Sequence, residues 1–196
     1  MTTNDHHIRR KLKSRTVGIA GCGGLGSNCA VALARVGVGK IVIADFDKVD
    51  FSNLNRQYFF TDQVGVTKVK ALKDIIYRID PSVQVEMHEI MLDEENIPAI
   101  FAACDVIVEA FDKAEMKQMI IETVSEKMPG KILVCGVGLA GWGKNTAIRM
   151  ESFGNIFICG DMANEVTDEF PPLGPRVGIV ANMQANQVLD ILLGKM

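Results

Sequence analysis

Gly21, Gly23 and Gly26 stand as G-x-G-x-x-G between an apolar run, Thr16–Ala20, and residues 27–36, whose apolar positions recur at helical spacing. In a strand–turn–helix unit each glycine has a task. The first allows the tight turn, the second lets backbone approach a phosphate, and the third packs helix on strand. Gly24 keeps the same turn bare, and the helix start offers free N–H groups and a positive dipole end. Asp45 closes the next apolar run, Lys40–Ala44, where a carboxylate can accept hydrogen bonds from ribose hydroxyls. This chemistry is that of a nucleotide carrying ribose and phosphates, and it does not separate NAD from ATP.

Residues 45–57 are dense in polar groups directly after that second run. Asn53 and Arg56 lie three positions apart, so a helical turn presents both on one side, with Gln57 beside them. An amide and a guanidinium next to a phosphate turn suit the β- and γ-groups of a triphosphate, since the planar guanidinium makes paired bonds to phosphate. Lys68 opens the next helical stretch and can add a positive charge, with Lys70 as its rival. Asp112 follows the apolar run 105–110, at the strand ends where open α/β sheets bind ligands. A carboxylate there can hold Mg²⁺ on the phosphates of ATP. Asn55, Asp62 and Gln63 read as ordinary loop residues.

The elements that must position these groups alternate. Apolar runs at 16–20, 40–44, 83–88, 105–110 and 131–137 read as strands; residues 27–36, 67–79, 93–103, 113–128 and 177–193 read as helices. Short strands at 146–151 and 156–159 read as an antiparallel pair, flanked by a flexible glycine stretch around Trp142 and a proline-containing loop at 160–175. The expected fold is α/β and Rossmann-like: a mostly parallel sheet covered by helices on both faces, with a short antiparallel extension near the C-terminus. A length of 196 residues fits one domain, with residues 1–15 as a polar lead-in carrying His6, His7 and a basic cluster. His88 reads as a structural strand residue.

A net charge of −3 gives no basic balance pointing to nucleic acid, and no apolar run reaches the length of about 18 residues that a membrane span needs. A cytosolic protein is expected. The five cysteines form no C-x-x-C pair. Most stand in apolar stretches and read as buried small hydrophobes.

The run Gly21-Cys22-Gly23-Gly24-Leu25-Gly26-Ser27, then Asp45-Phe46-Asp47, Ser52-Asn53-Leu54-Asn55-Arg56-Gln57, Gly65 and Lys68, resembles the ThiF/MoeB adenylyltransferases, relatives of the ubiquitin-activating enzymes. Residues 157–161 and 175–177 are similar to the short ThiF-like proteins that adenylate the sulfur carrier ThiS, so the resemblance covers nearly the whole chain. It implies an enzyme with ATP and Mg²⁺ as cofactors, and a small ubiquitin-like sulfur carrier ending in Gly-Gly as partner. The carrier's C-terminal carboxylate attacks the α-phosphate, pyrophosphate leaves, and sulfur later replaces AMP on the way to thiamine. It further implies that Asp45 binds ribose, that Asn53, Arg56 and Lys68 hold phosphates, that Asp112 holds Mg²⁺, and that the protein is a homodimer. In such dimers an N-terminal arginine, here Arg9 or Arg10, reaches the partner's nucleotide. Larger members bind zinc through two C-x-x-C pairs that this chain lacks, so no structural zinc is expected. Members often carry Asp-Asn where this chain has Asp112-Lys113. Some use a thiol that links to the carrier, for which Cys159 is the candidate, against a plain buried cysteine.

Two other classes compete. The glycine turn and Asp45 serve an NAD(P)-dependent oxidoreductase equally well, but such an enzyme has no use for Asn53, Arg56 and Lys68. A non-catalytic module that only holds a carrier protein would have no need to keep phosphate ligands.

Overall fold

The computed structural model describes residues 3–163 and 166–194. Strands β1 (Thr16–Ala20), β2 (Lys40–Ala44), β3 (Gln84–His88), β4 (Val106–Glu109), β5 (Ile132–Val137), β6 (Arg149–Phe153) and β7 (Ile156–Gly160) form one sheet in the order β3-β2-β1-β4-β5-β7-β6. All neighbours are parallel except β6 and β7. The short antiparallel extension therefore sits at one edge, as its place late in the chain suggests.

Alternation along each central strand feeds two cores. Val17, Ile19, Ile41, Ile43, Val106 and Val108 face one layer, where they meet Leu33 of helix α2 (Gly24–Val36), Leu72 and Ile76 of α3 (Lys68–Ile79), and Val188 of α6 (Gly174–Leu193). Val42, Ile107 and Leu133 face the other, against Phe101 of α4 (Asn96–Phe101) and Ile120 of α5 (Ala114–Lys127). Both faces of the sheet are thus covered, which is what continuous apolar runs in parallel strands require. Gly18 sits under the Phe101 ring, where a Cβ would come within 2.5 Å.

Several boundaries differ from the sequence expectation. The lead-in contains a helix, α1 (Thr3–Leu12), so His6 and His7 lie in a helix and not a loose tail. Its apolar stripe is only Ile8 and the fully buried Leu12, too short to show above its polar composition. Within the basic cluster Arg10, Lys11 and Lys13 are exposed, whereas Arg9 is bonded into the fold. Arg9 donates to the carbonyl of Arg35 and pairs with Asp80, at the C-terminal ends of α2 and α3, and a cation there offsets the negative end of each helix dipole. Helix α6 begins before Val177, with Pro175 in its first turn, where its missing N–H is not needed. The strand expected from Thr146 begins at Arg149, preceded by a 3₁₀ turn at Asn145–Ala147. No helix among the described residues is long and apolar enough to cross a membrane.

The strand order reverses at β1, which lies between β2 and β4. In open α/β sheets ligands usually sit outside the carboxyl ends of the strands at such a point, here those of β1 and β4.

Candidate nucleotide-binding site

The glycine turn follows β1 at that reversal point. Gly21 adopts φ +94, a left-handed conformation, and its Cα faces the carbonyl of Ala110 at the end of β4. At Gly26 a Cβ would run into the carbonyl oxygen of Gly21, so the turn closes only with glycine there. Gly23 meets nothing nearer than the Gln57 amide at 3.7 Å, leaving its backbone open to a ligand. Gly24 underlies Val177, which places the start of α6 against the turn. No side chain caps the start of α2, so its leading N–H groups remain for an anion.

Asp45 is 9% exposed and does more than the sequence assigns to it. Its Oδ2 accepts from the Cys22 N–H at 2.6 Å, and its Oδ1 from the Asp47 N–H at 2.7 Å. The acid therefore shapes the glycine turn, while each oxygen keeps a lone pair for a ribose hydroxyl. Burial pushes its carboxyl above the ordinary range, and the Lys68 ammonium and the two N–H donors pull it back.

Lys68 is buried, whereas Lys70 is exposed. Lys68 Nζ lies 2.7 Å from Asp47 Oδ2, and its N–H donates to the Asp47 carbonyl. Asp47 thus links the Asp45 carboxylate to the Lys68 ammonium.

The polar segment forms a 3₁₀ turn at Phe51–Asn53, capped by Asp50. The N–H groups of Arg56 and Gln57 both donate to the Asn53 carbonyl, so the three residues share one turn as their spacing predicts. The Asn53 side-chain oxygen accepts from Asp50 N–H, which leaves its NH₂ unused by that cap. Arg56 Nη1 folds back onto the Ser52 carbonyl and Asn55 Oδ1. Gln57 Oε1 is buried without a partner. Two α2 residues fasten this segment to the glycine turn: Ser27 Oγ accepts from Tyr58 N–H, and Asn28 Nδ2 donates to the Arg56 carbonyl. Asp112 is exposed, just past β4 on the same side of the sheet. Among the described residues no three His, Cys, Asp or Glu side chains converge as a metal cage. A lone carboxylate at this end of the sheet is nevertheless compatible with Mg²⁺, which takes one or two carboxylates plus phosphate oxygens and waters.

The chain matches the ThiF family over residues 3–196. It belongs to the ThiF family. It is 30% identical to the molybdopterin-synthase adenylyltransferase of Escherichia coli K12 over 197 residues, covering 97% of this chain and 78% of that protein. It is 32% identical to the adenylyltransferase and sulfurtransferase UBA4 of Candida glabrata, covering 94% of this chain but 44% of that protein. The chain thus spans less than half of this two-activity relative. Its fold matches the E. coli tRNA N6-threonylcarbamoyladenosine dehydratase TcdA, solved in complex with AMP, with a TM-score of 0.85 at 20% identity and coverage of 95% and 89%.

Other parts of this ThiF-family chain went unnoticed in the sequence or differ from it. Arg9 lies near Gly37 and the amino end of β2, at the opposite end of the sheet from the glycine turn. The glycine stretch around Trp142 is pinned rather than flexible. Buried Arg176 donates to the carbonyls of Gly138 and Gly143 and pairs with buried Asp161 at 2.6 Å. Trp142 stacks near Phe170, and Gly141 N–H donates to the Pro171 carbonyl. Asn164 and Glu165 of the 160–175 loop lie outside the described residues. Replacing Arg176 with Met strands a buried carboxylate. The expected cost is about 3–5 kcal/mol in urea unfolding, with much of it recovered when Asp161 is also made apolar.

Proposed function

We propose that this chain is an ATP-dependent adenylyltransferase acting on the C-terminal glycine carboxylate of a small ubiquitin-like sulfur carrier. The observation that carries the reading is the buried Lys68 ammonium, linked through Asp47 and Asp45 to an uncapped glycine turn that the Asn53–Gln57 turn packs against. An oxidoreductase binding NAD(P) has no use for that set, and the relatives at 30% identity or more are named adenylyltransferases.

The steps follow from elementary chemistry. The carboxylate attacks the α-phosphorus of ATP, the bond to the bridging oxygen breaks, and pyrophosphate leaves with the electron pair. A carboxylate is already a nucleophile at neutral pH, so no general base is needed. Rate enhancement comes from positioning and from charge neutralisation of the triphosphate. Gly21, Gly23, Gly24 and Gly26 cradle phosphate, Asp45 takes the ribose, and Asn53, Arg56, Gln57 and Lys68 hold the β- and γ-groups. Arg56 must swing from Ser52 and Asn55 to do so. Bound Mg²⁺ would supply further charge neutralisation, with Asp112 as its protein ligand.

Residues 157–161 and 175–177 favour a ThiS-like carrier and thiamine biosynthesis within this reading, and a homodimer is expected. Incubation with MgATP and candidate carriers, followed by intact-mass measurement, tests the proposal. A carrier gaining one adenylyl group, only when its Gly-Gly end is intact, is the expected result. No adenylate on any such carrier would contradict it, and preference for a molybdopterin-type carrier would overturn the thiamine assignment.

Cys159 is not expected to form a covalent link to the carrier. It is fully buried on β7, and burial pushes its thiol up to about 11, so almost no thiolate exists at neutral pH. Cys159→Ala should leave carrier adenylation unchanged. Loss of activity in the folded variant, or a carrier adduct trapped on Cys159, would contradict this.

A further inference from the structure

Glu109 ends β4 and is completely buried, yet no ligand-binding role falls to it. A buried carboxylate is costly unless fully paired. Here Lys117, in the first turns of α5, places Nζ 2.8 Å and 3.0 Å from its two oxygens. The same ammonium donates to the carbonyl of Gly136 near the end of β5 at 2.7 Å. Glu109 Oε1 also accepts from the Phe111 N–H at 2.7 Å, immediately before Asp112. The Glu109 carbonyl accepts from buried Gln184 of α6.

One ammonium therefore fixes two stretches of backbone at once. The first is the turn at residues 110–112, whose Ala110 carbonyl abuts Gly21 and whose far end carries Asp112. The second is the exit of β5, from which the chain runs directly into residues 138–143, the segment that Arg176 clamps. A simple core would not need an ion pair here. Buried pairs contribute little net stability compared with apolar residues of the same volume, so what this one offers is fixed geometry.

We propose that Lys117, paired with Glu109, is a positioning residue that sets Asp112 against the glycine turn and couples that turn to the 138–143 segment. This rests on the assignment of Asp112 to the nucleotide's metal ion. Displacement of a reacting group by about 1 Å can cost on the order of 100-fold in rate. Lys117→Met should accordingly lower kcat of ATP–pyrophosphate exchange by roughly 10- to 100-fold, with a smaller change in KM for MgATP. Lys117→Arg should recover part of the loss.

Three measurements decide. Amide hydrogen exchange on Lys117→Met should show lost protection at residues 110–113 and 136–139, with β1 and β2 unchanged, whether or not the protein is an adenylyltransferase. In a double-mutant cycle with Asp112→Asn, the Lys117→Met effect on kcat should largely vanish, because both act through one group. Glu109→Gln keeps the shape of the site but not its charge, and serves if Lys117→Met does not fold; it should show the same local loss of protection. Unchanged protection in the 110–113 turn, or kcat effects that simply add, would overturn the proposal. Wild-type protein without exchange activity would instead remove the functional reading, leaving the hydrogen-exchange result to judge the coupling alone.

Discussion

Lys68→Met is expected to lower carrier-dependent ATP–pyrophosphate exchange by about 100- to 1000-fold, the usual effect of deleting one preorganised charge from a transition-state site. The side chain is buried and held at 2.7 Å from Asp47, so its ammonium is already placed before nucleotide arrives. Methionine keeps the stem and its packing but leaves no positive charge facing the phosphates. A second consequence follows at Asp45. Burial pushes that carboxyl up and the Lys68 ammonium is the first influence that offsets it. Without Lys68 that offset is lost, and the buried carboxylate that accepts from the Cys22 N–H is left less well compensated. Binding of ATP should therefore weaken along with kcat, which calorimetry and single-turnover rates separate. Lys68→Arg is expected to rescue poorly, because a planar fork does not fit the place of a compact ammonium. An Lys68→Met variant with exchange within a few-fold of wild type would remove Lys68 from the site.

Gly26→Ala is expected to cost about 3 kcal/mol or more of stability, at the upper end for overpacking, and to abolish nucleotide binding in whatever protein folds. The added Cβ meets the Gly21 carbonyl oxygen, a backbone atom that cannot rotate away, and comes within 3.1 Å of the Ile19 side chain as well. Relief requires opening the turn, which carries Gly21 away from Ala110 and the Cys22 N–H away from Asp45. Gly178→Ala is the informative contrast. That glycine is helical, in α6, and a methyl group added there would meet nothing within 4 Å. Its replacement should stabilise the fold by about 0.4–1 kcal/mol through lower unfolded-state entropy. Chemical denaturation of both variants checks the pair. Equal stability of Gly26→Ala and wild type would mean that the turn is less closely packed than described.

The glycine turn, Asp45 and the Asn53–Gln57 turn were legible because their chemistry is local: each is fixed by spacing within a few residues. The sheet was legible through its short apolar runs. What was hidden depends on contacts distant in sequence. Nothing in a lone acid within the apolar run Val106–Glu109 reveals that Lys117, in the first turn of the following helix, pairs with it at the end of the sheet. Helix α1 was hidden for the opposite reason, since its burial rests on Leu12 and the half-buried Ile8, too few for a periodic signal. The segment around Trp142 has the glycine content of a flexible loop, yet Arg176, more than thirty residues later, supplies the bonds that hold it. Asp45 shows a subtler gap. Its position suggests a ligand contact, and only the fold reveals that it first organises the turn.

The most direct test of carboxylate adenylation is isotope exchange between pyrophosphate and ATP, with Mg²⁺, with and without a small carrier protein ending in Gly-Gly. Exchange that appears only with the intact carrier C-terminus, and is lost in Arg56→Ala, is the predicted result. Protein that binds ATP but shows no exchange with any such carrier would contradict it, and would leave a module that holds a carrier without activating it.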